Sequence, residues 1–312
     1  MLKDIAPIYH GKRTFLGLKD LVVSFYTEKC QFSCSFCDLS SRSSEESVSE
    51  EDVIKQIHWV FDQYVDEIQQ FQQLSAGNEG SILDRNRFFE GAMEYLLERA
   101  KEMSQLQVLS LETRPEYIRA PVLEDILRKT NAKQADVTVG FETQDDVLRN
   151  EVLNKRMNRN HFERKVEILG DLGVRLTSYV MLKPGPYMSE EEGVTEAVKT
   201  IEYLHELCTH HNTGLVIYLN PTYVASKSSL ARTMKKAGYK PPKIQSVLRT
   251  ILSAQPLGIP IYTGLWCENL ADETGEFSGR DDYDKRFRNA IKQFNKTQDP
   301  NVIKQYQDLL QE

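Results

Sequence analysis

Apolar and polar positions along the chain follow two alternating periods, and the alternation defines most of the elements. Leu18 to Tyr26 is rich in β-branched and aromatic residues and predicts a first strand. Ser49-Glu-Glu-Asp52 is a capping-box pattern, and Val53, Ile54, Ile57, Val60, Phe61, Tyr64 and Val65 then recur at helical spacing. A second strand is predicted over Glu67 to Leu74, a helix over Asp84 to Met103, and a third strand over Leu106 to Leu111. A short helix around Pro121 to Lys129 precedes a strand over Asp136 to Phe141. The amphipathic stretch Asn160 to Leu172 leads to a strand over Arg175 to Leu182, a helix from Ser189 to about His210, and a strand over Gly214 to Asn220.

These make six strand and helix units by about Thr250. Such alternation argues for an α/β fold with a parallel sheet wrapped by helices. Six units fall short of a closed eight-fold barrel, so the expected architecture is a partial (β/α)6 TIM-like barrel with functional residues at the C-terminal ends of its strands. After Ala254 the pattern loosens into a strand at Gly258 to Thr263 and two polar helices around Asp284 to Asn295 and Pro300 to Gln311. The expected organisation is an N-terminal segment (1–17), the barrel core (18–252) and a C-terminal extension (253–312) covering the open side or mouth.

Composition narrows the picture little. The 312 residues are 40% hydrophobic and 27% charged, and no apolar run approaches the ~20 residues that span a bilayer, so no membrane partner is expected. A net charge of −7 argues against a dedicated nucleic-acid binder. Basic clusters occur at Lys235, Lys236, Lys240, Lys243 and Arg249, and again at Arg280, Lys285, Arg286, Arg288 and Lys292. The N-terminus is neither an export signal nor a lipidation motif, and a cytoplasmic location is expected.

The chemistry is concentrated in Cys30, Cys34 and Cys37, on a loop directly after the first strand. Intervals of three and two residues let thiolates occupy three corners of a cubane iron–sulfur cluster and leave one iron open. Zinc prefers four ligands, often in two separated pairs, and no second pair follows. Five cysteines in a chain this long do not read as a disulfide framework. Cys208, near His205, His210 and His211, reads as a helix end or a metal cluster. Cys267 reads as a buried thiol or a hydrogen donor at the site.

With the aromatic Phe36 before the third cysteine, this loop resembles that of the radical S-adenosylmethionine (SAM) superfamily. The resemblance implies a [4Fe–4S] cluster on Cys30, Cys34 and Cys37 that binds SAM at its open iron and splits it with one electron to form a 5′-deoxyadenosyl radical. It also implies an external reductant of flavodoxin or ferredoxin type. At the strand ends, Asn78 and Glu79 in Gly77-Asn-Glu-Gly80 are candidates for the methionine ammonium, and Glu142 for the ribose hydroxyls. Thr113, Lys183 and Asn220 are further cofactor candidates, the last two expected to face the lumen. Glu112, Arg114 and Cys267 are substrate candidates, with Glu112 and Arg114 projecting from one strand end. Arg149 and Arg156 are within reach of a carboxylate, or are exposed helix arginines.

Gly80-Ser-Ile-Leu-Asp84, Glu112-Thr-Arg-Pro-Glu116, Val139-Gly-Phe-Glu-Thr143, Leu182-Lys-Pro184, Leu219-Asn-Pro221 and Tyr239-Lys-Pro-Pro242 follow in the order of the elongator-catalytic-subunit-like branch. Within it the best fit is to the archaeosine-forming radical SAM lyases, which resolve a lysine adduct on a tRNA 7-deazaguanine. Lys243-Ile-Gln departs from the aromatic residues that branch carries after its Pro-Pro. The expected function is radical chemistry on a small metabolite or nucleoside-like substrate. The alternatives are a tRNA-acting lyase, transfer of the aminocarboxypropyl group of SAM, and a non-catalytic electron-transfer module.

Overall fold

In the computed structural model, residues 6–37, 43–225, 227–264 and 285–307 are described. Among them, eight strands lie in one sheet in simple chain order. They are β1 (Tyr9–Phe15), β2 (Leu18–Phe25), β3 (Gln73–Asn78), β4 (Val108–Glu112), β5 (Gln134–Glu142), β6 (Arg175–Leu182), β7 (Leu215–Pro221) and β8 (Ile261–Thr263). β1 pairs antiparallel with β2, and every later pair is parallel. The helices between the strands are α1 (Glu50–Gln63), α2 (Glu90–Ala100), α3 (Ala120–Lys129), α4 (Arg159–Asp171), α5 (Glu190–His210), α6 (Ser229–Lys236) and α7 (Ile244–Ala254). Two more, α8 (Lys285–Thr297) and α9 (Asn301–Lys304), follow β8. β2 to β7 are the six expected barrel strands, and β1 and β8 extend the sheet at its two ends.

Burial follows strand parity. Leu21, Val23 and Phe25 on β2, Leu74 and Ala76 on β3, Leu109 and Leu111 on β4, and Val137, Val139 and Phe141 on β5 belong to one apolar core with the helices. The opposite parity carries Ser75, Gly77, Ser110, Glu112, Thr138, Thr177, Tyr179 and Tyr218, which line a cavity of ≈ 310 Å³ on the other side of the sheet. An apolar outer face and a polar lumen follow from period-two alternation when helices cover only one face.

Several boundaries differ from the sequence expectation. The second strand begins at Gln73 instead of Glu67, because Ile68–Gln70 form a 3-10 turn. It also continues past the expected end at Leu74, since the small residues Ser75 to Asn78 are buried in the sheet. The predicted helix from Asp84 starts at Glu90, because the Asp84 side chain accepts from Asn86 N and Arg87 in a turn of its own. α6 is hidden by its polarity, with only Leu230 and Met234 buried. The N-terminal segment supplies a strand in its own right.

That strand closes the open side. Phe15 on β1 lies 4.6 Å from the ring of Tyr262 on β8 and 6.0 Å from Tyr218 on β7. Gly17 packs against the backbone of α8, where an added Cβ would stand 3.2 Å from the Lys296 carbonyl. Among the described residues, the two edges of the half-barrel thus meet through aromatic side chains and a terminal helix instead of a strand pairing. Phe15 is buried, so Phe15→Ala should lower the free energy of unfolding by about 3–5 kcal/mol, the usual cost of deleting a core phenylalanine. Urea denaturation checks this, and a loss below the level of a surface substitution would show that α8 alone closes the gap.

Candidate active site

The cysteine loop leaves β2 at the C-terminal end of the sheet and is braced from four directions. Its neck is pinned where Lys29 N donates to the Ser44 carbonyl at 2.9 Å. Behind it, Ser35 N and Oγ donate to the carbonyls of Leu153 (2.9 Å) and Val152 (2.6 Å), and Asn154 Nδ2 donates to Ser33 O at 2.7 Å. From the far side, the first turn of α6 donates Leu230 N to Ser35 O at 2.8 Å. On the fourth side Gly80 lies against Cys30, and a Cβ there would be 3.4 Å from the Cys30 sulfur. The loop thus packs in van der Waals contact with the segment that follows β3.

Cys30, Cys34 and Cys37 are all of intermediate exposure. Burial raises the Cys30 pKa, and the nearby guanidiniums of Arg114 and Arg87 oppose that rise. Four thiolates bound tetrahedrally to zinc at ~2.3 Å stand roughly 3.8 Å apart. The three sulfurs do not form such a group: among the described residues, only Glu90, Glu94 and Asp125 bring three donor atoms within 4.8 Å of one another. A wider, soft-liganded group such as a cubane fits the set better than one ion. Cys208 belongs elsewhere, buried in the core on α5 with its thiol pushed up to about 12 by desolvation. Cys267 lies outside the described residues.

Phe36 and Cys37 form part of the cavity wall, with Asn78, Glu112, Tyr179 and Tyr218. Asn78 is buried, its Oδ1 accepts from Gly80 N at 3.1 Å, and its Nδ2 has no hydrogen-bond partner among the described residues. An unsatisfied buried amide costs about 1–3 kcal/mol, so this donor at a cavity wall is suited to a ligand's acceptor. Glu79, one residue further on, is also buried.

Glu142 ends β5 in the left-handed region (φ 71°), just past a register shift between Gly140 and Glu142. Its Oε1 accepts from Lys155 Nζ at 2.6 Å, and both side chains are nearly buried. A Cβ on Gly140 would stand 2.3 Å from Glu142 Oε1 and 2.4 Å from Lys155 Nζ, so the pair exists because position 140 has no side chain. Lys155 also sits 5.3 Å from the Phe36 ring centroid, which ties this ion pair to the cysteine loop. Sequence reasoning missed Lys155. Its neighbours Asn154 and Arg156, at φ 49° and 51°, mark a strained segment that only coordinates reveal.

Glu112 and Arg114, expected together, face different ways. Glu112 lines the cavity, where Tyr179 Oη donates to its Oε2 at 3.0 Å. Desolvation raises the Glu112 pKa, and the Tyr179 hydroxyl and then Lys155 act against that rise. Arg114 is absent from the cavity lining and turns to the cysteine loop. Thr113 turns its hydroxyl onto the Arg114 carbonyl (3.3 Å). Lys183, also left-handed (φ 62°), does not face the lumen as expected. Instead its ammonium is held by Glu190 (2.7 Å) and the Lys240 carbonyl (3.0 Å), because the start of α5 offers a carboxylate close by. Asn220, one residue before the end of β7, has its Oδ1 near Gly264, where an added Cβ would lie 2.7 Å away. Arg149 is fully buried on Asp146, the Thr143 carbonyl and the Phe141 ring, and Arg156 donates to Asn154.

A parallel half-barrel with three cysteines on the loop after its first parallel strand, opening on a polar lumen, defines a cluster-bearing barrel enzyme. The chain belongs to the radical SAM superfamily, whose family model matches residues 24–221, and it uses the [4Fe–4S] cluster and SAM of that family. It is similar to an uncharacterized protein of Methanocaldococcus jannaschii, 24% identical over 93% of this chain and 80% of that one. It is also similar to archaeosine synthase subunit beta of Thermococcus kodakarensis, 25% identical over 72% of this chain and 67% of that one. Among solved structures, methylornithine synthase matches 89% of this chain and 80% of its own at 14% identity, with a TM-score of 0.52. Streptococcus suis SuiB matches 90% of this chain and 55% of its own, also at 14% identity, with a TM-score of 0.55. Among the described residues no helix is long and apolar enough to cross a membrane.

The pH dependence of stability reads the state of Glu112. Burial favours its protonated form, so above the ordinary value of 4.5 the folded chain keeps a proton that the unfolded chain has released. Stability should therefore fall as pH rises from that value toward the raised one, and Glu112→Gln should remove this part of the slope. Urea unfolding of both proteins across that window checks it, and identical slopes would mean that Glu112 ionises as readily when folded.

Proposed function

We propose that this chain starts radical chemistry on a compact, nucleoside-like group held inside the barrel, with Cys30, Cys34 and Cys37 as the cluster ligands. The observation that carries this reading is the cavity running from Phe36 and Cys37 to Glu112 and Tyr179, which puts the cysteine loop and a polar, aromatic-lined lumen in one space. When bound, the cluster and SAM supply one electron and a cleavable carbon–sulfur bond. The chain's own residues bind, orient and exclude water. Asn78 Nδ2 donates to a carboxylate of the bound cofactor, and Glu79 accepts from its ammonium. Glu142, with one oxygen engaged by Lys155, offers the other to ribose hydroxyls. Glu112, fixed by Tyr179 and with its pKa raised by burial, hydrogen-bonds a polar group of the substrate. Tyr179 and Tyr218 present aromatic faces for stacking.

Anaerobic reconstitution should give one [4Fe–4S] cluster per chain, and alanine at Cys30, Cys34 and Cys37 together should abolish iron uptake while Cys208→Ala leaves it unchanged. Asn78→Ala and Glu142→Ala should keep the iron and weaken SAM binding by about 1.5–3 kcal/mol, roughly tenfold to a hundredfold. Iron retained in the triple variant, or unchanged SAM affinity in both others, would sink the assignment.

A second reading, that the nucleoside-like group belongs to a tRNA, has its own support. Two curated relatives are archaeosine synthase beta subunits. In addition, Lys235, Lys236, Lys240 and Lys243 are all exposed on the segment whose helix α6 docks against the cysteine loop. If this reading holds, tRNA binds tightly, affinity falls steeply with salt, and reversing these four charges flattens the salt dependence. A tRNA titration at two salt concentrations checks it, and weak binding insensitive to those reversals would leave the free small molecule as substrate.

A further inference from the structure

Arg114 is nearly buried, at 7% exposure, so its charge requires partners. Glu116 accepts from Nε at 3.1 Å and from Nη2 at 2.8 Å, and the Lys155 carbonyl accepts from Nη2 at 2.9 Å. The guanidinium lies over the ring of Phe32, 3.6 Å from its centroid. Phe32 is itself a cysteine-loop residue, between Cys30 and Cys34. Glu116, Lys155 and Phe32 together fix the plane of the guanidinium, and the remaining nitrogen, Nη1, points at the sulfur of Cys34 at 3.9 Å. The head group takes no part in lining the substrate cavity.

We propose that Arg114 is a positioning residue for the electron: it biases the cluster toward its reduced form through its charge and an N–H···S bond to Cys34. This rests on the reading of the three cysteines as cluster ligands. In the step concerned, a low-potential one-electron donor passes one electron to the oxidised cluster. No bond is made or broken, no proton moves, and Arg114 keeps its charge. Thiolate ligation makes the site anionic, and the added electron makes it more so. A fixed cation beside a ligand sulfur therefore stabilises the reduced state more than the oxidised one, and hydrogen bonds to cluster sulfurs act in the same sense. Glu116 works against this in part, since its carboxylate neutralises the same guanidinium from the more exposed side.

The test is a potentiometric titration of the reconstituted full chain, followed by electron paramagnetic resonance. Arg114→Gln should lower the midpoint potential by at least a tenfold change in the reduction equilibrium, about 59 mV for one electron. Arg114→Lys, which keeps the charge, should stay nearer the wild type. Glu116→Gln should shift the midpoint in the opposite, positive direction. Wild-type iron content with an unchanged potential in Arg114→Gln overturns the proposal, as does a shift of the same sign in Arg114→Gln and Glu116→Gln. If Arg114→Gln takes up no iron, Glu116→Gln decides alone, and an unchanged or more negative potential overturns it. Failure of the wild-type chain to take up any cluster would instead refute the cysteine assignment.

Discussion

The ion pair between Arg13 and Asp20 at the floor of the barrel is the interaction on which the remaining architecture depends. Asp20 is fully buried at the start of β2, and its Oδ2 accepts from Arg13 Nε at 2.7 Å, Ser75 Oγ at 3.0 Å and Gln73 Nε2 at 3.4 Å. Desolvation raises the Asp20 pKa, and Arg13 is the main influence opposing it. Removing one partner of such a pair typically costs about 3–5 kcal/mol, because the other charge stays buried. Arg13 also stacks on Phe15, Tyr218 and Tyr262, so one side chain joins the first strand to the last two. A half-barrel has two exposed edges, and edges invite wrong pairing. Here a cation under an aromatic cluster holds them in place.

The floor continues with Asp136, bound by Arg175 at 2.9 and 2.7 Å, so the polar lumen begins on paired charges. Above it the residues become hydroxyls and aromatics, then Glu112 and Asn78, then the cysteine loop. Polarity inside the barrel is matched by tight apolar packing outside, where β2 to β7 rest on α1 to α5 and α7. The sheet can carry the buried Asn78 amide and the buried Glu112 carboxyl on its inner face because its outer face supplies the stability.

The strands of the barrel are legible in the sequence because their apolar parity is strict. β6 matches its expected span residue for residue, and α5 is set by the capping box of Ser189 and Glu192. β3 is misplaced by pattern alone because small lumen residues resemble a turn, and β1 escapes it because Lys12 and Thr14 are exposed and Arg13 reads as surface. The cysteine loop stands out because three soft ligands at such close, fixed intervals suit few groups besides an iron–sulfur cluster. Lys155 does not stand out, since a lysine between Asn154 and Arg156 looks like any solvated loop residue. The direction of Arg114 is likewise invisible, because which way a side chain leaves a strand end depends on contacts with Phe32 and Glu116 that no spacing encodes.

Lys155 has two faces. Its side chain holds Glu142 and its carbonyl holds Arg114, so one backbone unit in a strained stretch serves the carboxylate at the end of β5 and the cation beside Cys34. Perturbations on the two sides therefore share a partner, and their free energies are not additive. By linkage, any change in free energy that one side transmits to the other through Lys155 is returned in equal measure. The position of Lys155 thus ties the end of β5 to the surroundings of the cysteine loop.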